Sequence, residues 1–262
     1  MQQNPEYIFD QTQHLKELAR LQAIEKIFDP GTERRLLNTG LQSGWRCLEI
    51  GPGAGSIMKW LGEAVGETGK VVGVDVNPRF IQDKKSSHIE IMKSDIRSLE
   101  IFGPGFDLIH VRYVLIHIPD YEQALKKIMS FLKPGGWIVI EEPDFSAARP
   151  IFGNKDNFYS VQNVNRAIEQ MFQDGGMDYA VGLKLPTFFD SDAMKVIENE
   201  TPLSRGASGI ATMMKMSTEQ LKDKYLKTGK ASLSDVEGYC RFAEDPKTWA
   251  IYYATVAVTA QK

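Results

Sequence analysis

Glycine stands at every second position of Gly51-Pro52-Gly53-Ala54-Gly55, directly after the run Trp45–Ile50 and its single acid, Glu49. Glycine is required where backbone turns sharply or lies against a ligand that a Cβ would strike. The run reads as a strand and Ile57–Val65 reads as a helix, so the turn lies between them. A strand, a glycine-rich turn and a helix N-terminus together form a nucleotide site at the edge of a parallel sheet. The spacing then discriminates among nucleotides. A dinucleotide fingerprint, G-x-G-x-x-G, has its third glycine where this chain has Ser56. Here the pattern is Glu-x-Gly-x-Gly-x-Gly, and a carboxylate two residues before the first glycine suits a cationic ligand and repels a pyrophosphate. About 20 residues further on, Val71-Val72-Gly73-Val74-Asp75 ends in an acid that can accept hydrogen bonds from both ribose hydroxyls.

The elements that must position these residues alternate in type. Arg46–Ile50, Val71–Asp75, Ile89–Met92, Phe106–Val111 and Trp137–Ile140 read as strands. Ile57–Val65, a short piece after Pro78, and Tyr121–Leu132 read as the helices between them, with turns at Gly66–Gly69 and Lys133–Gly136. Such apolar strands belong inside a sheet covered on both faces. Their β-α-β alternation predicts a mostly parallel sheet with right-handed crossovers. Ahead of them, Leu15, Leu18, Leu21, Ile24 and Ile27 have helical spacing; Asp29-Pro30-Gly31 is expected to break that helix, with a second over Thr32–Asn38. From Pro143 to about Asp190 the chain is irregular and rich in aromatics, with one helix expected at Asn157–Gln173. This stretch is either a lid over the ligand crevice or a packed side-helix. Ala193–Glu198 and Ile251–Ala260 read as the last strands, with Thr218–Thr228 and a piece from Ser234 as helices. The resulting division is an N-terminal helical cap (1–40), a nucleotide-binding core (41–145), an inserted lid (146–190) and a segment completing the sheet (191–262).

The chain has 262 residues, enough for a sizeable core, and its 31 basic and 34 acidic residues leave a net charge of −3. Lys84-Lys85 and Lys126-Lys127 are short pairs and not a stripe, so nucleic acid is not an expected partner. Cys47 and Cys240 are far apart and read as buried thiols, which suits a reducing cytoplasm. Residues 1–10 lack a signal-peptide core, no apolar run approaches membrane-spanning length, and no Cys/His/Asp cluster has metal spacing. The expectation is a soluble cytoplasmic protein, monomer or homodimer, with no metal and no membrane partner.

The order of Glu49–Ser56, Asp75, Ser94-Asp95-Ile96, Phe106–Asp120 and Leu132–Gly136 resembles that of class I S-adenosylmethionine-dependent methyltransferases, over about 40 to 145. Weaker similarity around Tyr7, Glu17–Gln22, Asp29-Pro30 and Asp245-Pro246-x-x-Trp249 reaches bacterial small-molecule enzymes of this class. The resemblance implies an α/β fold: a Rossmann-like, doubly wound, seven-stranded sheet whose last strand is antiparallel, with N-terminal helices and an inserted helical lid. It implies S-adenosyl-L-methionine as cofactor. Gly51 and Gly53 would approach the methionine moiety, with Glu49 near its cationic end. Asp75 would take the ribose hydroxyls and Val76 would lie against the adenine. Asp95 would accept from the adenine amino group, or serve as a helix cap, and Ile96 would offer an amide and an apolar side. In the similar enzymes the Tyr7–Gln22 region covers the cofactor, so Arg20 either pairs with its carboxylate or is a surface arginine.

Chain order reverses between the first and fourth strands, where ligands sit. Val111, Arg112 and Tyr113 are therefore expected to border the sulfonium, with His117 about one turn further on. His117 is the candidate base, or else a packing residue. Glu141, Glu142 and Asp144 would orient a polar acceptor or simply solvate a loop. The reading is methyl transfer to O, N or C of a small, partly aromatic or apolar metabolite, in secondary metabolism. Its rivals are a methyltransferase-like protein with another reaction, such as a cyclisation, and an NAD-dependent oxidoreductase, which Glu49 and Ser56 disfavour.

Overall fold

The computed structural model describes residues 8–9, 14–101, 103, 105–189 and 194–262. They group into two compact units. One comprises Phe28–Glu142, Lys184–Glu198 and Ala257–Lys262; the other holds the remaining described residues to Ile27, Pro143–Leu183 and Asn199–Val256.

The first unit is built on a seven-stranded sheet. Helix α1 is His14–Asn38, β1 Arg46–Ile50, α2 Ser56–Val65, β2 Lys70–Asp75, β3 Ile89–Lys93, β4 Phe106–Arg112, α3 Tyr121–Ser130 and β5 Leu132–Asp144. Later in the chain come β6 Arg149–Phe152, α4 Lys155–Asp174, α5 Val181–Lys184, β7 Met194–Glu200, β8 Ser204–Arg205, α6 Gly209–Lys227, α7 Leu233–Glu244, β9 Trp249–Ile251 and β10 Ala254–Gln261. The strand order is β3-β2-β1-β4-β5-β10-β7. The pairs β1–β2, β1–β4, β2–β3 and β4–β5 are parallel. Lys262 exchanges backbone bonds with Gly135 and Gly136, so the end of β10 meets the start of β5 and the last strand runs antiparallel. The expected doubly wound α/β sheet is the one observed.

Burial explains why these segments are strands. Cys47, Val71, Ile89, Ile91, Leu108 and Val139 pack on one face with Ile57, Met58, Leu61 and Val65 of α2 and Leu36 of α1. Burying one such aliphatic side chain contributes about 1.5–3 kcal/mol. Side chains alternate with period two, so Glu49, His110, Arg112 and Glu141 lie on that same face, nearer the C-terminal ends of the strands. The face therefore changes from apolar to charged along its length.

Two local expectations fail here. Helix α1 runs unbroken through Pro30, although proline removes a backbone donor and crowds the preceding turn. On both sides of the proline the helix is tied to the sheet, Asp29 before it and Thr32 and Arg35 after it being bonded to groups on β4 or β5, and this anchoring overrides the local break. Strand β5 also begins earlier and ends later than Trp137–Ile140. Its first residues form a bulge: Phe106 pairs Leu132, but Leu108 pairs Trp137, and the two glycines take up the extra length.

In the second unit α4, α6 and α7 pack together beside a three-stranded sheet ordered β6-β9-β8, in which the neighbours are antiparallel. Helix α6 starts earlier than Thr218. Ser232 and Asp235 form a reciprocal capping box at the start of α7, and Asn154 caps α4. The Phe145 ring lies 5.6 Å from Phe172 and 5.3 Å from Tyr253, and Phe158 lies 6.0 Å from Phe242. These aromatics of the expected lid serve this unit's own packing.

Candidate active site

At the end of β1, Ile50 stands between Val74 of β2 and Val111 of β4. The chain then leaves the sheet through Gly51, Gly53 and Gly55 with φ of 66°, 61° and 91°. These are left-handed values that side-chain-bearing residues adopt at a cost. At Gly51 space is closed as well, since a Cβ would sit 2.4 Å from a methyl of Val114. The Gly51 amide donates to the Val74 carbonyl at 2.8 Å, which ties the turn to the tip of β2.

Asp75, the last residue of β2, joins this turn directly. Its carboxylate accepts from the Asn77 amide at 2.7 Å and from the Gly53 amide. Burial pushes its pKa up, against the pull of the two amides and Arg79. Val76 follows with 49% of its surface exposed. The Ser94 amide donates to the Asp75 carbonyl at 3.0 Å and brings in the tip of β3. There Ile96 is buried, and the Asp95 carboxylate accepts from both the backbone and the side chain of Arg97. Arg97 holds the Asp95 carboxyl below the usual range, outweighing the opposing effect of burial. Asp95 is thus engaged by a guanidinium and not left open as a lone acceptor.

The turn, Asp75–Val76 and Asp95–Ile96 therefore lie side by side at the C-terminal ends of β1, β2 and β3. A left-handed glycine cradle, a carboxylate at a strand tip and an exposed valine beside it fit a ligand with a ribose and a flat ring.

The charged face beneath departs from expectation. Glu49 is 3% exposed and its Oε2 accepts from His110 Nδ1 at 2.8 Å. His110 Nε2 lies 3.4 Å from Glu141 Oε1, and Glu141 Oε2 accepts from Arg35 at 3.1 Å. Burial pulls the His110 pKa down, but Glu49 and Glu141 outweigh it and push it up to about 9. Burial raises the Glu141 carboxyl, yet His110, Arg112 and Arg35 hold it below the ordinary value. Arg112, expected beside the sulfonium, turns instead to α1, donating to Asp29 and Thr32 at 2.8 Å each. A guanidinium taken out of water needs such partners. Val111 is fully buried in the sheet, paired with Ile50 just before the turn. Glu141, Glu142 and Asp144, expected in a rim loop, are buried residues of β5.

The segment after β4 is held by Glu142. One carboxylate oxygen accepts from the amides of Val114 (2.9 Å) and Leu115 (2.7 Å), the other from Ile116 (3.1 Å). Burial pushes its pKa up to about 7, with the three amides pulling the other way and Glu141 adding to the rise. Tyr113 enters this segment with φ 56°, its ring edge-on to Phe28 at 5.4 Å. His117 is half-buried at the end of the 3-10 turn Leu115–His117.

Arg20 donates twice to Glu17 in a buried pair within α1 and stacks over Phe9. Tyr7 lies outside the described residues. Sequence reasoning missed His110 and the Glu142 contacts; the available signal was an imidazole and acids at alternate positions of otherwise apolar strands.

A family described as Methyltransferase domain matches residues 11–200. A demethylmenaquinone methyltransferase of Staphylococcus aureus is 26% identical, covering 55% of this chain and 72% of that protein. Among solved structures, a Haemonchus contortus phosphoethanolamine N-methyltransferase in complex with phosphomonomethylethanolamine and S-adenosylhomocysteine has a TM-score of 0.57 at 17% identity, covering 97% of this chain and 59% of that one. The cyclase SpnF has a TM-score of 0.53 at 15% identity, covering 88% and 80%. At such identities the structures speak for the fold alone. With the glycine turn and the sheet order in place, the family match identifies the chain as a member of the class I S-adenosylmethionine-dependent methyltransferases.

Proposed function

We propose that this enzyme transfers a methyl group from S-adenosylmethionine to an oxygen, nitrogen or carbon of a small, partly aromatic or apolar metabolite, in secondary metabolism. The observation that carries the cofactor assignment is the bond from the Gly51 amide to the Val74 carbonyl at 2.8 Å, which unites the glycine turn with the tip of β2 beside Asp75. When bound, the cofactor supplies an activated methyl group. Gly51 and Gly53 let backbone approach its methionine portion, and Asp75 receives the ribose hydroxyls. Val76 lies against the adenine, and Ile96 offers an amide and an apolar edge. Asp95 acts there jointly with Arg97. Glu49 lies beneath the turn in a pair with His110, which offsets its charge there.

His117 is the residue of this chain suited to removing a proton from the acceptor, since imidazole titrates near neutrality. Methyl transfer also gains from holding the two reactants in line. A small acceptor agrees with the relatives named for demethylmenaquinone and crystallised with phosphomonomethylethanolamine. It agrees too with the absence of any basic stripe. Among the described residues no helix is long and apolar enough to cross a membrane, and no cluster could hold a metal. Such an enzyme would work in the cytoplasm, as monomer or homodimer. The second reading, a methyltransferase-like protein with another reaction, draws on the likeness of fold to a cyclase.

Titration calorimetry tests the assignment. S-adenosylmethionine and S-adenosylhomocysteine should bind in the micromolar range and NAD should not. Binding of NAD with no response to either sulfur compound overturns it. A metabolite screen for products heavier by one methylene then separates methylation from other chemistry.

A further inference from the structure

Three successive amides, those of Val114, Leu115 and Ile116, converge on the Glu142 carboxylate at 2.7–3.1 Å. Successive N–H groups aimed at one point form a concavity of the kind that binds external anions. Here the chain fills it with its own carboxylate, which is fully buried. The segment so held faces the glycine turn: a Val114 methyl occupies the space that a Cβ on Gly51 would need. Tyr113, just before, is kept in a left-handed conformation, with its amide donating to the Glu141 carbonyl at 2.9 Å.

We propose that Glu142 is a positioning residue for the cofactor: by clamping residues 114–116 it presses Val114 onto Gly51 and fixes the turn in its binding conformation. Glu142 acts through Val114 and touches no reacting atom. The role rests on the methyltransferase reading, because it is the cofactor whose affinity the clamp sets.

Hydrogen–deuterium exchange and S-adenosylhomocysteine titration of Glu142→Gln test it, with Val114→Ala as the coupled variant. A carboxamide keeps the size of the side chain but turns an NH₂ toward one of the three donors. The amides of residues 114–116 should be protected in the native enzyme and should exchange at least about tenfold faster in Glu142→Gln. Measured well below the variant's melting temperature, the S-adenosylhomocysteine dissociation constant should rise about tenfold. In the Val114→Ala background the same change should add less than about twofold, because coupled neighbours are not additive.

An unchanged dissociation constant in folded Glu142→Gln, or losses that simply multiply, overturns the proposal and leaves Glu142 a purely structural residue. Should Glu142→Gln fail to fold, Glu142→Asp carries the same readouts, its carboxylate drawn back from the amides by one methylene. If the native enzyme binds no S-adenosylhomocysteine, the functional reading fails by itself. Exchange at residues 114–116 then still reports whether the clamp exists.

Discussion

Asp75 offers the most direct test of a single side chain. Its carboxylate already receives the Gly53 and Asn77 amides, so it is oriented before any ligand arrives. Asp75→Ala should lower cofactor affinity by roughly 1–3 kcal/mol, the range for hydrogen bonds to a charged group. An S-adenosylhomocysteine dissociation constant that does not move would reduce Asp75 to a partner of the turn. His117 is tested by rate. If it takes a proton from the acceptor, His117→Ala should slow turnover about 10²–10⁴-fold with little change in cofactor affinity. It should also remove the limb of the pH–rate profile near neutrality. A loss of only a few-fold, accompanied by a lower melting temperature, would make it a packing residue. The glycine turn and Asp75 were legible in the sequence because their geometry is local. Arg112 was not, because its partners Asp29 and Thr32 stand far away in the chain and nothing in the spacing points to them.

Elements were legible where burial and pattern agree. The apolar runs of β1, β2 and β4 declare themselves, and α2 follows its glycines. Helix α1 continues through Pro30 because proline is a local signal, whereas the groups that hold the helix past it come from β4 and β5. The end of β5 is not legible in the sequence because Glu141, Glu142 and Asp144 look like loop residues. They remain in the strand because each carboxylate finds donors there: His110 and Arg35, the three amides after β4, and the Ser146 amide. His110→Leu should therefore be costly. It leaves Glu49 without its imidazole partner in a buried site, and removing one member of such a pair typically costs about 3–5 kcal/mol. Denaturant unfolding with a loss under about 1 kcal/mol would show that water compensates these carboxylates.

For the molecule as a whole, these buried groups set how stability varies with pH. His110 has its folded pKa raised from 6.5 to about 9, so its contribution is complete below 6.5 and disappears as pH rises through 9. Glu142 has a raised pKa too, from 4.5 to about 7; its ionisation opposes the fold as pH rises through that range. Glu141 behaves oppositely: its pKa is depressed, so it stabilises above 4.5 and its contribution fades as acid reaches the lowered value. The melting temperature should therefore fall between about 6.5 and 9, and this fall should be shallower in His110→Leu. A melting temperature flat across that interval would mean that His110 is neutral in the folded protein.

Cys47 sits in β1 between the apolar floor of the sheet and Glu49, with no surface open to water, while Cys240 is only part-buried. Burial, first, and the nearby acids Asp107 and Glu49 hold the Cys47 thiol far from ionising. A thiol reagent attacks the thiolate, so Cys47 stays silent until β1 separates from its neighbours, while Cys240, part-buried and with its pKa pushed up to about 11 chiefly by burial, is a second and itself slowed thiol for comparison. The enzyme thus carries its own gauge of opening at the root of the glycine turn. Any compound that occupies the turn would register as slower alkylation of Cys47, whether or not its chemistry is known.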